Sequence, residues 1–187
     1  MSQTTSLTNQ FLIAMPRMED PNFSRSVTYI CEHNEEGAMG LVINRPIDMQ
    51  LGEVLRQLEI ETRDDTVERQ AVHMGGPVLP DRGFVLHRPH GGWESTLHVS
   101  PNVAITTSLD ILNAIAHGYG PRDLLFALGY AGWSAGQLET EMTDNAWLTV
   151  PAEEHVLFEL PAEARWRAAA DLIGIDPELL SGESGHA

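Results

Sequence analysis

Gly132-Trp133-Ser134-Ala135-Gly136 satisfies the pattern G-x-S-x-G. It follows an apolar run, Leu124 to Leu128, and opens a stretch of helical character. This is the setting of a nucleophile elbow, in which a tight turn exposes a serine hydroxyl and the first amides of a helix face an oxyanion. A triad in hydrolase order could be drawn with Asp144 and His155. Against it, only 53 residues follow Ser134, too few for the parallel strands that such a hydrolase requires. Ser134 with Gln137 three positions on also fits a capping box, a purely structural use. A second candidate nucleophile is Cys31, set mid-strand. Its thiol becomes reactive if Arg17, Arg25 or His33 lowers its pKa, and stays inert if it is a small core residue.

Binding chemistry is suggested by the arginines. Arg17, Arg45 and Arg82 each stand beside a proline or glycine. An arginine fixed at a strand end can clamp a carboxylate or phosphate in bidentate fashion. The amides of Gly75 and Gly76 could add an anion nest. The structural alternative pairs these arginines with acids such as Glu19, Asp20 or Asp81. Tyr130, Trp133 and Gln137 flank the glycine-rich turn and complete the ligand-binding candidates. Metal binding is not expected. His87, His90 and His98 lie nearest in sequence, but no H-x-x-x-H or H-E-x-x-H spacing occurs. Glu139 and Glu141, two apart on a helix, diverge and form no acid–base pair.

Charge narrows the classes further. The chain carries 27 acidic and 11 basic side chains, a net of −16, and every basic residue is arginine. Without lysine there is no Walker-A loop, no Schiff base and no kinase strand lysine. A single cysteine leaves no disulfide framework, Cys-rich zinc site or CxxC pair. Residues 135–187 alone hold 11 acids against two arginines. Nucleic-acid backbones need clustered positive charge, so direct binding to DNA or RNA is not expected. No apolar run approaches the ~20 residues of a membrane span. The first residues show neither the basic nor the apolar region of a signal peptide. A soluble, cytoplasmic protein of one domain over residues 1–187 is the expectation, with flexible tails at 1–7 and 181–187.

The elements that must position these residues are mostly strands. Phe11–Met15 is a short buried strand ended by Pro16. Ser26–His33 and Ala38–Asn44 form a hairpin about Asn34-Glu-Glu-Gly37. Leu51–Leu58 spaces its apolar residues as a short helix, and 61–70 reads as a charged loop. Ala71–Met74 and Phe84–His87 are strands. Thr96–Val99 and Val103–Thr107 make a second hairpin. Ser108 caps a helix from Leu109 to His117. Leu124–Tyr130 is a central strand, followed by a two-turn helix capped by Ser134. Trp147–Val150 and Val156–Leu160 read as strands. A last helix runs from Pro161 to Ile173. Strands and helices do not alternate strictly, so the class is α+β with a mixed sheet.

Five segments in register resemble the AlgH/YqgE family of largely uncharacterised bacterial proteins. They are Phe11–Pro16, Gly37–Pro46, Gly75–Val78, Arg82–His87, and Gly129–Trp133 with Gly136–Glu139. The match extends from about residue 7 to 180. The order of elements gives three to four short helices, and the resemblance implies an α+β fold with a strongly bent sheet forming a pseudo-barrel. It implies little about activity. The family's best-known name carries the label of a transcriptional regulator of alginate synthesis, which the charge directs toward a partner and away from DNA. The preferred function is a non-enzymatic regulatory or accessory protein acting through an unidentified protein partner or a small anionic ligand. The alternatives are a small hydrolase-like enzyme using Ser134 or Cys31, and a direct DNA-binding regulator.

Overall fold

The computed structural model describes residues 6–15, 20 and 23–175. The strands are β1 (Gln10–Ala14), β2 (Val27–Asn34), β3 (Gly37–Val42), β4 (Pro46–Gln50), β5 (Ala71–Met74), β6 (Val78–Arg88), β7 (Thr96–His98), β8 (Ala104–Thr106), β9 (Asp123–Ser134) and β10 (Trp147–Pro151). The helices are α1 (Leu51–Gln57), α2 (Asp65–Glu68), α3 (Leu109–Ala116), α4 (Gln137–Thr143), α5 (Glu154–Phe158) and α6 (Ala162–Asp171). All ten strands belong to one mixed α+β sheet, curled into a half-barrel. Its main path runs β10-β1-β2-β3-β9-β6-β8-β7, with β4 paired to β5 and β5 to β9. The β5–β9 pair is parallel and the others are antiparallel.

β9 is the hub. It pairs with β6 over most of its length, with β5 through Phe126–Leu128, and with β3 through Ala131–Ser134. Its apolar run alternates between two cores. Leu124, Phe126 and Leu128 face a cluster with Leu51, Leu55, Ile111 and Ile115 of α1 and α3. Leu125 and Ala127 face a cluster with Phe11, Tyr29, Leu41, Leu157 and Ala169. Both faces are covered, which is why the sequence there is apolar without alternation. Each fully buried side chain of this kind contributes about 2 kcal/mol.

Several elements differ from the sequence expectation. Six helices stand among the described residues where three to four were expected. One extra is α2, a single turn inside the charged 61–70 stretch; Asp64 caps it by accepting from Thr66 and Val67 amides. The other is α5, expected as a strand. Its apolar residues Val156 and Leu157 are buried beside α6, and a one-turn helix and a short strand bury such a pair equally well in sequence terms. Pro46, which follows β3, opens β4, an acceptable place for a residue with no amide to donate. Leu7 and Ser6, expected in a flexible tail, bond to His33: the Leu7 amide donates to Nδ1 and the Ser6 hydroxyl to the carbonyl. The remaining tail residues, 1–5 and 181–187, lie outside the described residues.

Candidate functional site

The glycine-rich turn is a backbone junction. Gly129 sits in the left-handed region at φ +77°, and a Cβ there would lie 2.3 Å from the Gly76 carbonyl oxygen. A Cβ on Gly76 would lie 2.1 Å from the Tyr130 carbonyl carbon. Only hydrogen fits at either position. The Gly75 amide donates to the Leu128 carbonyl at 2.8 Å, and its own carbonyl accepts from Val42. Gly75 is thus committed to main-chain bonds, and the pair serves close approach of strands. Opposite this junction, Val78 pairs with Tyr130 while Gly83 already pairs with Leu128. The excess residues 79–82 are pushed out as a bulge.

That bulge walls a groove. A hollow of about 560 Å³ is lined by Met39, Leu79, Arg82, Phe84, Tyr130 and Trp133, with Glu32 and Glu36 also on its lining. A second hollow of about 390 Å³ shares Met39 and Phe84 and continues past Leu97 and Glu94. Of the sequence candidates, Arg82, Tyr130 and Trp133 line this groove together. Leu79 is 52% exposed and holds φ +46°, a strained conformation for a branched apolar residue.

From Trp133, on the groove lining, a polar network runs to Glu141 and Gln137. Trp133 Nε1 and Trp147 Nε1 both donate to Glu141 Oε1 at 2.9 Å, and Gln137 Nε2 donates to Oε2 at 3.0 Å. Gln137 Oε1 accepts from the Ser134 amide at 3.0 Å and from its hydroxyl at 3.2 Å. The expected cap is corrected. Ser134 is the last residue of β9, and the N-cap is Gly136 in the left-handed conformation. Gln137, now the first helical residue, reaches back to Ser134. Neither Asp144 nor His155 is bonded to Ser134 among the described residues. Glu139 turns the other way and meets His33 Nε2 at 3.2 Å. Ser108 does cap α3, but its hydroxyl donates to Asp110, whose carboxylate takes the Ile111 and Glu94 amides.

The other sequence candidates scatter. Cys31 is 1% exposed, and burial raises its pKa, which keeps the thiol protonated. Arg45 is half-buried and donates to the Ser24 carbonyl; burial lowers its pKa while Asp20 opposes that. Neither Arg45 nor the Gly75-Gly76 pair lines the groove. Arg17 lies outside the described residues. His90 and His98 stack at 4.0 Å, and His87 is buried between the Pro89 carbonyl and Thr106. No metal-binding cluster occurs among the described residues.

Sequence reasoning missed Arg165. It is 7% exposed in the body of α6, and a cavity of about 320 Å³ opens onto it beside His73, Leu124 and Phe158. Nε donates to the Leu160 carbonyl at 3.2 Å, and Nη1 donates to the Ile43 carbonyl and lies 3.3 Å from His73 Nε2. His73 Nδ1 lies 3.1 Å from the Phe126 carbonyl. Because a carbonyl only accepts, Nδ1 carries the proton and Nε2 accepts from arginine. The imidazole is neutral, and burial first, with Arg165 adding, lowers its pKa to about 4. Burial likewise lowers the guanidinium to about 10, opposed by the charge of Glu163, which raises it. Nothing in the sequence Ala-Arg-Trp-Arg-Ala marks Arg165 apart from Arg167; only the tertiary fold buries one of the two.

A family model described as AlgH-like matches residues 11–178. The chain belongs to the AlgH-like family. A UPF0301 protein of Thioalkalivibrio sulfidiphilus is 58% identical over 187 residues, covering 100% of both chains. One of Nitrosospira multiformis is 56% identical over 185 residues, covering 99% of this chain and 100% of the relative. The solution structure of the AlgH protein from Pseudomonas aeruginosa superposes with a TM-score of 0.81 at 52% identity, covering 100% and 99%. A Corynebacterium diphtheriae protein shares the fold alone, with a TM-score of 0.74 at 21% identity over 97% and 94% of the two chains. Membership in the AlgH-like family fixes the architecture and leaves the chemistry to be read from the site. No helix among the described residues is long and apolar enough to cross a membrane.

Proposed function

We propose that this AlgH-like protein is a non-enzymatic accessory protein of the cytoplasm that acts by holding a protein partner in the groove at the Tyr130 end of β9. The observation that carries the reading is Leu79. A strained backbone holds an apolar side chain in solvent beside an open apolar hollow, and such strain tends to gather at functional sites. Met39, Phe84 and Tyr130 give the floor an apolar, partly aromatic character, as in surfaces that receive partner side chains. Glu32, Glu36 and Glu94 line it with negative charge, against one cation, Arg82. The fitting occupant is an extended segment with one or two apolar side chains and flanking basic residues. The same acids oppose a phosphate backbone, so regulation of the kind attached to the family name would run through protein contact.

Peptide display tests this directly. Panning extended decapeptides on the protein is expected to enrich apolar sequences with basic flanks. Leu79→Asp and Met39→Glu are each expected to weaken binding by roughly tenfold or more, equivalent to ~1.4 kcal/mol. Enrichment of acidic peptides, or binding indifferent to both substitutions, would reject the groove. Recovery of the native protein from the cytoplasmic fraction of cells checks the compartment.

A further inference from the structure

We infer that the cavity at the Leu124 end of β9 is a second binding site, one that takes a small organic anion, carboxylate or phosphate monoester, with Arg165 as its counter-charge. This site is separate from the groove and does not depend on it.

Geometry carries the inference. A guanidinium presents five N–H donors. Three are engaged at Arg165, by the Leu160 carbonyl, the Ile43 carbonyl and His73 Nε2. The two on Nη2 have no acceptor among the described residues. All three partners are neutral, because the His73 tautomer is set by its bond to Phe126. A buried charge without a counter-ion is costly and is ordinarily matched by an acid in the chain. Here the one acid on the lining, Glu163, is exposed; its charge raises the Arg165 pKa from a distance, but it forms no ion pair with the guanidinium. The chain has 27 acidic residues to draw on, and Arg88 shows how it uses them, with Asp123, Glu154 and Glu159 all within 3.0 Å. No carboxylate is bonded to Arg165 in the same way among the described residues.

The cavity supplies the rest of the ligand's description. Its volume, about 320 Å³, suits a metabolite-sized molecule. Leu124, Leu157, Phe158 and Pro161 form apolar walls, and Gln70 offers an amide at the lining. An anionic head against Nη2 and an apolar body against these walls satisfy both surfaces. A structural anchor between strand and helix would need the three bonds already made; it would not need a cavity lined by the same residue.

The test uses the intact protein, side-chain nitrogen NMR, and three probes: hexanoate, phenyl phosphate and inorganic phosphate, with sodium chloride matched for ionic strength. Saturable shifts of the Arg165 Nε–H and His73 ring signals are expected with hexanoate or phenyl phosphate below about 10 mM, the range of weak single-site binding. The stronger of these two identifies the head group. Arg165→Gln is expected to weaken binding roughly tenfold or more. Because that variant also loses two carbonyl contacts, Ala162→Trp provides a second arm: it fills the cavity from the start of α6, leaves Arg165 in place, and should abolish the shifts. Shifts that follow ionic strength alone, inorganic phosphate binding as tightly as both organic anions, or full binding in Ala162→Trp would each overturn the inference. Leu79→Asp should leave the titration unchanged.

Discussion

At its Trp133 end, β9 faces Glu141, whose carboxylate collects N–H donors from Trp133, Trp147 and Gln137. At its Leu124 end it faces Arg165, whose guanidinium finds two carbonyls and a neutral imidazole. The first charge is matched by directed donors and needs nothing further. The second has no carboxylate bonded to it and lines a cavity. The same strand thus supports one region that is complete and one that is not. The difference teaches that richness of sequence signal is a poor guide to unfinished chemistry. The Trp133 end is crowded with glycines, tryptophans and a serine in a catalytic pattern, and nearly all of it goes into packing. The Leu124 end is announced by nothing.

The sharpest way to break this comparison is at the glycine junction that lets β9 serve both ends. In Gly76→Ala the new Cβ would meet the Tyr130 carbonyl carbon at 2.1 Å, its oxygen at 2.2 Å and the Ala131 nitrogen at 2.3 Å. These are main-chain atoms held by β6 and β3 pairing and cannot yield cheaply. A loss of about 3 kcal/mol or more is expected in urea unfolding, or failure to accumulate folded protein. A variant within ~1 kcal/mol of wild type would show that the junction relaxes and does not set the path of β9.

Much of the fold was legible for identifiable reasons. The β2–β3 hairpin declared itself by alternation around Asn34-Glu-Glu-Gly37, and the ladder closes at Asn34 opposite Gly37. The α3 span was marked by Ser108, Asp110 and an apolar stripe. The mixed sheet followed from strands and helices that do not alternate strictly, but its bend came from family resemblance, since strand order across such crossovers leaves no local trace. What was not legible depended on tertiary placement. The β6 bulge needs the junction opposite it. The single-turn helices α2 and α5 are too short for a periodic signal. At the site, Tyr130, Trp133 and Arg82 were legible because glycines flank them. Arg165 was not, because burial of an arginine is decided by elements far apart in sequence: Ile43, His73 and Leu160.

A pH titration sharpens the comparison at the Arg165 end. His73 has an ordinary pKa of 6.5 when unfolded and about 4 when folded, chiefly through burial. The folded protein therefore binds fewer protons at this site. Its contribution is complete above pH 6.5 and is lost as pH falls from there toward 4. The loss amounts to about 3 kcal/mol for such a shift. Comparing urea stability at pH 7 and pH 4.5, wild type should lose about 2–3 kcal/mol more than His73→Asn. Equal acid sensitivity in the two would mean that His73 protonates freely in the fold, and the neutral imidazole beside Arg165 would be lost as a premise.

The smallest expected effect belongs to the residue with the most suggestive sequence context. A serine nucleophile needs a base to take its proton, and an adjacent histidine or lysine ordinarily supplies it. The Ser134 hydroxyl instead donates to the amide oxygen of Gln137, which is not basic and already accepts from the Ser134 amide. Gln137 is in turn held by Glu141, so the hydroxyl is a peripheral member of a network that stands without it. Ser134→Ala is expected to change stability by no more than ~0.5 kcal/mol, as for an exposed surface position, and to leave background hydrolysis of a p-nitrophenyl ester unaltered. A measurable turnover in wild type that disappears in the variant would restore the hydrolase reading. It would also mean that the Trp133 end of β9, complete in its hydrogen bonds, is not complete in its chemistry.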